Sequence, residues 1–381
     1  MTVDVARLRL AAQRLVGPGE PTATDAVRWM TAMQAQDYPG ALASVMLRTE
    51  RAGAPDPGGT SHDGGASDDG GATDHRGATD HRGVRAALDT GAVVRSWPMR
   101  GTLHLVAAED LGWMLSLTSE RLLTGAARRR EQLGIDDAML GRATTLAVEA
   151  LTGGRSLRRA ELVQLWERDG LLGVPQRGYH LLWHLSQRGL TCFGPTDGAE
   201  QRVVLLDEWV PAPHRPGREE ALGEWAVRYF RSHGPATVTD FRWWTKLTAA
   251  DARTGLALAR GRLEAVDVDG VEHLMDPATP QRLADARSEA GGVLLLPGFD
   301  ELILGYADRS ATLDPAHAGR VVPGGNGMFR PTVLARGRVV GTWRRVGSGS
   351  RRHVEAEPFT ELPVTVRRGV ERRAAEYPAV A

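Results

Sequence analysis

The sequence predicts an α+β protein, built as three tandem winged-helix units followed by a C-terminal β-barrel or β-sheet domain. Three observations carry this. Helical patterns come in groups of three. Each group is followed by two short strand patterns across a glycine-containing turn. The last quarter of the chain changes to strand patterns alone. A length of 381 residues is long for one domain, and the expected units span residues 1–120, 121–215, 216–285 and 286–381.

In the first unit, residues 5–15, 22–36 and 40–47 read as helices. Thr22 with Asp25 three positions on makes a capping-box-like start. Val27, Met30 and Met33 recur at helical spacing, and Pro39 biases Tyr38 away from the α region, so the second helix is expected to stop near Gln36 or Asp37. Residues 52–83 contain no Ile, Leu, Val, Met, Phe, Trp or Tyr, and repeat residues 71–76 as 77–82. Such a segment cannot build a core and is expected to be a disordered insert. Beyond it, residues 84–89 read as helix and 94–106 as a strand pair.

The second unit reads as helices at 142–151, 157–168 (capped by Ser156) and 176–187, then strands at 191–193 and 203–206. The third reads as helices at 218–232, around Phe241, Trp243 and Trp244 (capped by Thr239), and at 249–263. Strands at 264–268 and 272–275 follow, joined around Asp269-Gly270. Residues 293–296, 332–334, 338–343, 353–356 and 364–367 read as the strands of the last domain. Three such units favour nucleic acid as partner, although winged helices also bind proteins.

Composition is that of an ordinary globular chain, 42% apolar and 25% charged. The single cysteine, Cys192, excludes an internal disulfide framework and suits a reducing, cytoplasmic setting. No apolar run approaches the roughly 18–20 residues that cross a bilayer, and the first residues lack the pattern of a signal peptide. No Walker loop, nucleophile elbow or Cys/His constellation is present, so neither cofactor nor metal is expected. A net charge of zero lacks the basic signature of a DNA-binding domain, yet the charge is uneven. Residues 336–373 hold ten arginines against four glutamates, and Arg128-Arg129-Arg130 forms a second cluster. All 47 basic side chains but Lys246 are arginines, whose planar forks suit phosphates.

The most informative short stretch is Gln34-Ala35-Gln36, followed by Asp37-Tyr38-Pro39-Gly40. At a fraying helix end, both amides can turn toward one cavity. Read from the tripeptide alone, they are equally ordinary polar residues at the edge of a helix. Together with residues 94–106 (VRSWPMRGTLHLV), 297–310 (PGFDELILGYADRS) and 326–334 (NGMFRPTVL), the stretch resembles the AlkZ-like DNA glycosylases, a family of tandem winged-helix proteins. The resemblance spans most of the chain in family order. The family signature is glutamine, an apolar residue, then glutamine, which Gln34-Ala35-Gln36 matches.

The resemblance implies hydrolysis of the N-glycosidic bond of an alkylated purine in double-stranded DNA, including within an interstrand crosslink. Gln34 and Gln36 are then the catalytic pair, one holding water and the other fixing water or phosphate, with Asp37 as an adjacent base. In strand 94–106, alternation puts Arg100, Thr102 and His104 on one face. Arg100, His104, Arg128, Arg129, Arg344 and Arg345 are the expected DNA contacts. Asp300, Asp308 and Arg309 are expected to form a structural ion pair or cap. Lys246 is placed away from the motif, so a monofunctional glycosylase, acting as a monomer, is expected. A non-catalytic DNA-binding or regulatory protein with structural glutamines is the alternative.

Overall fold

The structure is a computed structural model, and it describes residues 3–50, 81–325, 327–347 and 353–377. Most of the expected insert lies outside these residues.

The chain begins with α1 (Val5–Ala12) and α2 (Ala23–Met30). Thr22 caps α2 by accepting from the Asp25 amide, as its spacing predicts. The helix then ends earlier than expected. Thr31 adopts φ of +70°, and the next residues form a strand, β1 (Ala32–Gln34). The helical spacing of Met33 misled because Ala32 and Met33 are both fully buried, one on each face of the strand. Tyr38 is helical after all, opening α3 (Tyr38–Met46) with Pro39 in its first turn, where a missing N–H costs nothing. Helix α4 (Arg82–Asp89) precedes the hairpin β2 (Val93–Met99) and β3 (Thr102–Ala107).

Helices α5 (Leu111–Gly125), α6 (Ala127–Gln132) and α7 (Asp137–Leu151) follow. The pattern at 157–168 divides into β4 (Leu157–Arg158) and α8 (Arg159–Arg168), so the helix is capped at Arg158 rather than Ser156. Then come α9 (Arg177–Gln187), β5 (Thr191–Asp197), β6 (Glu200–Leu205) and α10 (Leu206–Trp209). The first two hairpins are not separate wings. Arg95 pairs with Phe193, and the strands join into one sheet ordered β1-β3-β2-β5-β6-β4.

Helix α11 (Arg218–His233) leads to α12 (Val238–Thr245), capped by Thr237 and not by Thr239, and to α13 (Ala249–Ala259). Strands β7 (Glu264–Val268) and β8 (Val271–Met275) form a separate two-stranded sheet. A single apolar core runs from Val94, Val106 and Met114 of the first segment to Trp225, Phe241 and Trp244 of the third.

Short helices α14 (Thr279–Asp285) and α15 (Arg287–Ala290) lead to β9 (Val293–Leu296), α16 (Glu301–Leu304) and α17 (Ala318–Val321). With β10 (Thr332–Ala335), β11 (Arg338–Val346) and β12 (His353–Pro358), β9 forms an open antiparallel sheet ordered β12-β11-β10-β9, not a barrel. Residues 364–367, expected as a strand, open the helix α18 (Val364–Glu376). Gly369 and Val370 are its buried residues, and Val370 packs on Val293 and Trp343 of the sheet. Among the described residues, no helix is long and apolar enough to cross a membrane.

Candidate active site

The two glutamines sit on a strand, not at a helix end. Strand β1 pairs antiparallel with β3, placing Gln34 opposite His104. The ladder continues past Gln34, since the Ala35 amide donates to the Leu103 carbonyl at 2.7 Å. In extended backbone, residues two apart share a face. Gln34 and Gln36 therefore lie on one side with Thr102 and His104, a placement a helix would have denied them.

Arg100 reaches this face from the β2–β3 turn. Arg100 and Gly101 have φ of +57° and +71°, the pair of positive values a two-residue type I′ turn requires. For an arginine this region is strained, and such strain collects at functional sites. Its Nη2 donates to Gln34 Oε1 at 3.1 Å and to His104 Nε2 at 3.0 Å, while Thr102 Oγ1 donates to Gln34 Oε1 at 3.2 Å. Both lone pairs of the Gln34 carbonyl are thus taken. Since a guanidinium only donates, the amide cannot be flipped, and its NH₂ group is the end left to act. Gln36, exposed, accepts the Leu103 amide at 3.3 Å, which likewise directs its oxygen inward but leaves one lone pair open.

His104 is fully buried. Burial first, then the charge of Arg100, lowers its imidazole to about 3. It is therefore neutral, its Nδ1–H donating to the Thr102 carbonyl at 2.8 Å and its Nε2 accepting from Arg100. It reaches the site through Arg100 rather than at the surface.

Beneath Gln34 lies a residue that sequence reasoning passed over. Glu301, at the start of α16, is 1% exposed. One carboxylate oxygen accepts the Gln34 backbone amide at 2.9 Å and the other accepts Trp244 Nε1 at 2.9 Å. His233 Nε2 stands 3.7 Å away, beyond hydrogen-bonding distance. Burial alone would raise this carboxyl. The surrounding His233, Arg100 and His104 reverse the effect and hold it at about 2, so it is ionised. A carboxylate ahead of a short apolar run carries no sequence mark of such burial. Arg95, also passed over, fastens the motif by donating from Nε to the Ala35 carbonyl at 3.0 Å.

Asp37 is exposed and lies outside this cluster. It lines a cleft of about 170 Å³ with Pro39, Pro297, Trp343, Arg345 and Tyr377, and neither glutamine lines it. Gly40 permits this, because a Cβ there would stand 2.6 Å from an Asp37 carboxylate oxygen. Arg128 and Arg129 are exposed on α6, with Arg129 bonded to Gln176. Arg344 is ion-paired to Glu355 and Glu357 at 3.0 and 3.3 Å, and Arg345 lies 5.5 Å from the Tyr377 ring centroid. No hydrogen bond or ion pair found among the described residues links these arginines to the glutamines. Asp300 is structural as expected, pairing with Arg48 and capping α16.

The candidate site thus places two amides on one face of β1, Arg100 over Gln34 from the β2–β3 turn, and the buried Glu301 carboxylate on the Gln34 backbone amide. Residues 75–380 match the family described as "DNA glycosylase AlkZ-like", and the chain belongs to that family. The match begins after the two glutamines. A curated relative, an "Interstrand DNA cross-link repair glycosylase" of Streptomyces sahachiroi, is 28% identical over 298 residues, covering 74% of this chain and 78% of the relative. The solved structure of "Streptomyces sahachiroi DNA glycosylase AlkZ" superposes with a TM-score of 0.75 at 25% identity. That superposition covers 99% of this chain and 96% of the other, so it spans the glutamine strand as well.

Proposed function

We propose that this protein hydrolyses the N-glycosidic bond of N7-alkylated purines in duplex DNA and thereby unhooks interstrand crosslinks, the repair named for its Streptomyces relative. The observation that carries the reading is the Gln34 amide, locked by Arg100 and Thr102 above an ionised, buried Glu301. Family membership supports catalysis over the non-catalytic DNA-binding alternative.

An N7-alkylpurine is already cationic and needs no strong acid to leave. Gln36, with an open lone pair, holds the attacking water by one proton. Gln34, its carbonyl spent on Arg100, offers its NH₂ to a phosphate or to the water oxygen. The water oxygen bonds to sugar C1′ as the C1′–N9 bond breaks. The bonding electrons neutralise the departing base, and the surplus proton passes to solvent. Glu301 is a positioning residue. It fixes the Gln34 backbone, and its charge favours the oxocarbenium character that develops at the sugar. Tight positioning of this kind contributes several powers of ten.

The protein works as a monomer in the cytoplasm, and its three helix–hairpin segments act as winged-helix units on DNA. Arg100, Arg128, Arg129 and Arg345 contact phosphates, and Arg344, already neutralised by two glutamates, contributes least. The reaction is monofunctional although Lys246, expected away from the motif, shares Trp243 with Arg100; its ammonium bonds neither glutamine. The test is incubation with duplex DNA carrying N7-methylguanine, then hot alkali to reveal abasic sites. Strand breaks should appear only after alkali, and uracil should not be excised. Intact DNA, or a covalent complex trapped on abasic DNA by borohydride, overturns the reading.

A further inference from the structure

Three cations gather on one tryptophan at the edge of the glutamine site. The Arg100 guanidinium, the Lys246 ammonium and the Arg309 guanidinium lie 5.4, 5.2 and 5.0 Å from the Trp243 ring centroid. They come from three separate segments: the β2–β3 turn, the end of α12 and the loop after α16. The distances confine them to a patch no wider than twice the longest. Among the described residues, none of the three has a carboxylate within 4.0 Å; farther off, Glu301 opposes the charge of Arg100, and Asp240 and Asp308 stand around Arg309.

The chain as a whole carries 47 acidic and 47 basic side chains. Several exposed arginines elsewhere are paired, as Arg142 with Asp169, Arg218 with Asp251 and Arg260 with Glu272. Unneutralised like charges repel one another. An indole face returns about 0.5–2 kcal/mol per cation but removes no charge, so the cluster still favours an anion. Lys246 feels this: burial first, then Arg100 and Arg121, lower its ammonium below the ordinary value. An anion completes such a group. Arg100 ties the cluster to Gln34 through a 3.1 Å hydrogen bond.

We propose that Arg100, Lys246 and Arg309, gathered on Trp243, bind consecutive backbone phosphates of the DNA strand whose sugar faces Gln34. This rests on the glycosylase reading and names the phosphate contacts of that same site.

The test is the salt dependence of duplex binding by fluorescence anisotropy, for the parent, Lys246→Asn and Lys246→Arg. Lys246 caps α12 in the left-handed region with φ of +57°, which asparagine tolerates, so the fold is kept. Each phosphate neutralised contributes about 0.9 to the slope of log affinity against log salt. Lys246→Asn should shorten the slope by about that amount, and Lys246→Arg should restore it. An unchanged slope in Lys246→Asn, with a parent that still excises N7-methylguanine, overturns this proposal alone. A shortened slope with a parent that excises nothing supports the phosphate contact while overturning the glycosylase reading. If inorganic phosphate raises the parent Tm while Lys246→Asn leaves the DNA slope untouched, the site takes free phosphate and the proposal fails.

Discussion

Asp300 and Glu301 are neighbours in sequence, both buried and both carboxylates, yet they serve opposite ends. Asp300 turns toward Arg48, whose two terminal nitrogens each bond it at 2.9 Å, and it also accepts from Ser44 Oγ and the Leu302 amide. Arg48 in turn donates to Gln13 and the Ser44 carbonyl. The Asp300 carboxylate is saturated by partners inside the protein. Glu301 turns the other way, to the Gln34 amide and Trp244, with Arg100 held over the same glutamine. The difference teaches that burial of a charge does not identify its role. A carboxylate whose charge is spent on a fixed arginine holds the fold together. One whose charge is shared between the Gln34 amide and Trp244 carries the candidate site.

Mutation should separate the two. The largest effect is expected at the saturated pair: Asp300→Ala strands a buried guanidinium and should cost about 3–5 kcal/mol of stability, read by urea denaturation. An Asp300→Ala loss smaller than that of Glu301→Gln would invert the comparison. Next, Gln34→Ala and Gln36→Ala should each lower base excision about 10- to 1,000-fold, the range for a lost positioning group, with the urea midpoint little changed for exposed Gln36 and lowered for buried Gln34, whose loss takes an acceptor from Arg100 and Thr102. Parental rates in both would remove the site altogether. Glu301→Gln preserves shape and removes charge, so single-turnover excision should fall about 10- to 100-fold, with a smaller stability loss than Asp300→Ala.

The pH dependence sharpens the same contrast. His104 has its folded value lowered to about 3. The unfolded chain therefore binds a proton first, near pH 6.5. The stability held by neutral His104 is fully present above that pH and falls toward pH 3, by up to about 1.4 kcal/mol per pH unit. Glu301, lowered to about 2, contributes stability that is present above its unfolded value of about 4.3 and is lost as pH falls through 2. Between pH 5 and 7, then, His104→Asn should flatten the stability profile and Glu301→Gln should not, as equilibrium denaturation across pH would reveal. The smallest effect belongs to Arg344, exposed and paired with two glutamates. Arg344→Ala should change stability by less than about 1 kcal/mol.

Local chemistry made much of this legible in advance. Thr22 over Asp25 marked the start of α2, Asp269-Gly270 marked the β7–β8 turn, and period-2 alternation put Thr102 and His104 on the face that meets Gln34. These are properties of adjacent residues, carried by the backbone wherever it goes. The sequence also singled out Gln34 and Gln36, but set them at a helix end, because Met33 continued the spacing of Val27 and Met30. Pairing with β3 overrode that propensity: strand hydrogen bonds come from a partner some 70 residues away, and no local pattern encodes them. The same holds for α18, whose Val364 and Val366 mimic a strand until Val370 finds the sheet it packs on. What tertiary structure alone decided is which charges meet. Arg100, Lys246 and the segment carrying Glu301 and Arg309 are far apart along the chain. Electrostatic and hydrogen-bond energies depend on distance through space, so only the folded chain could make one residue of the pair Asp300-Glu301 a strut and set the other beneath the candidate site.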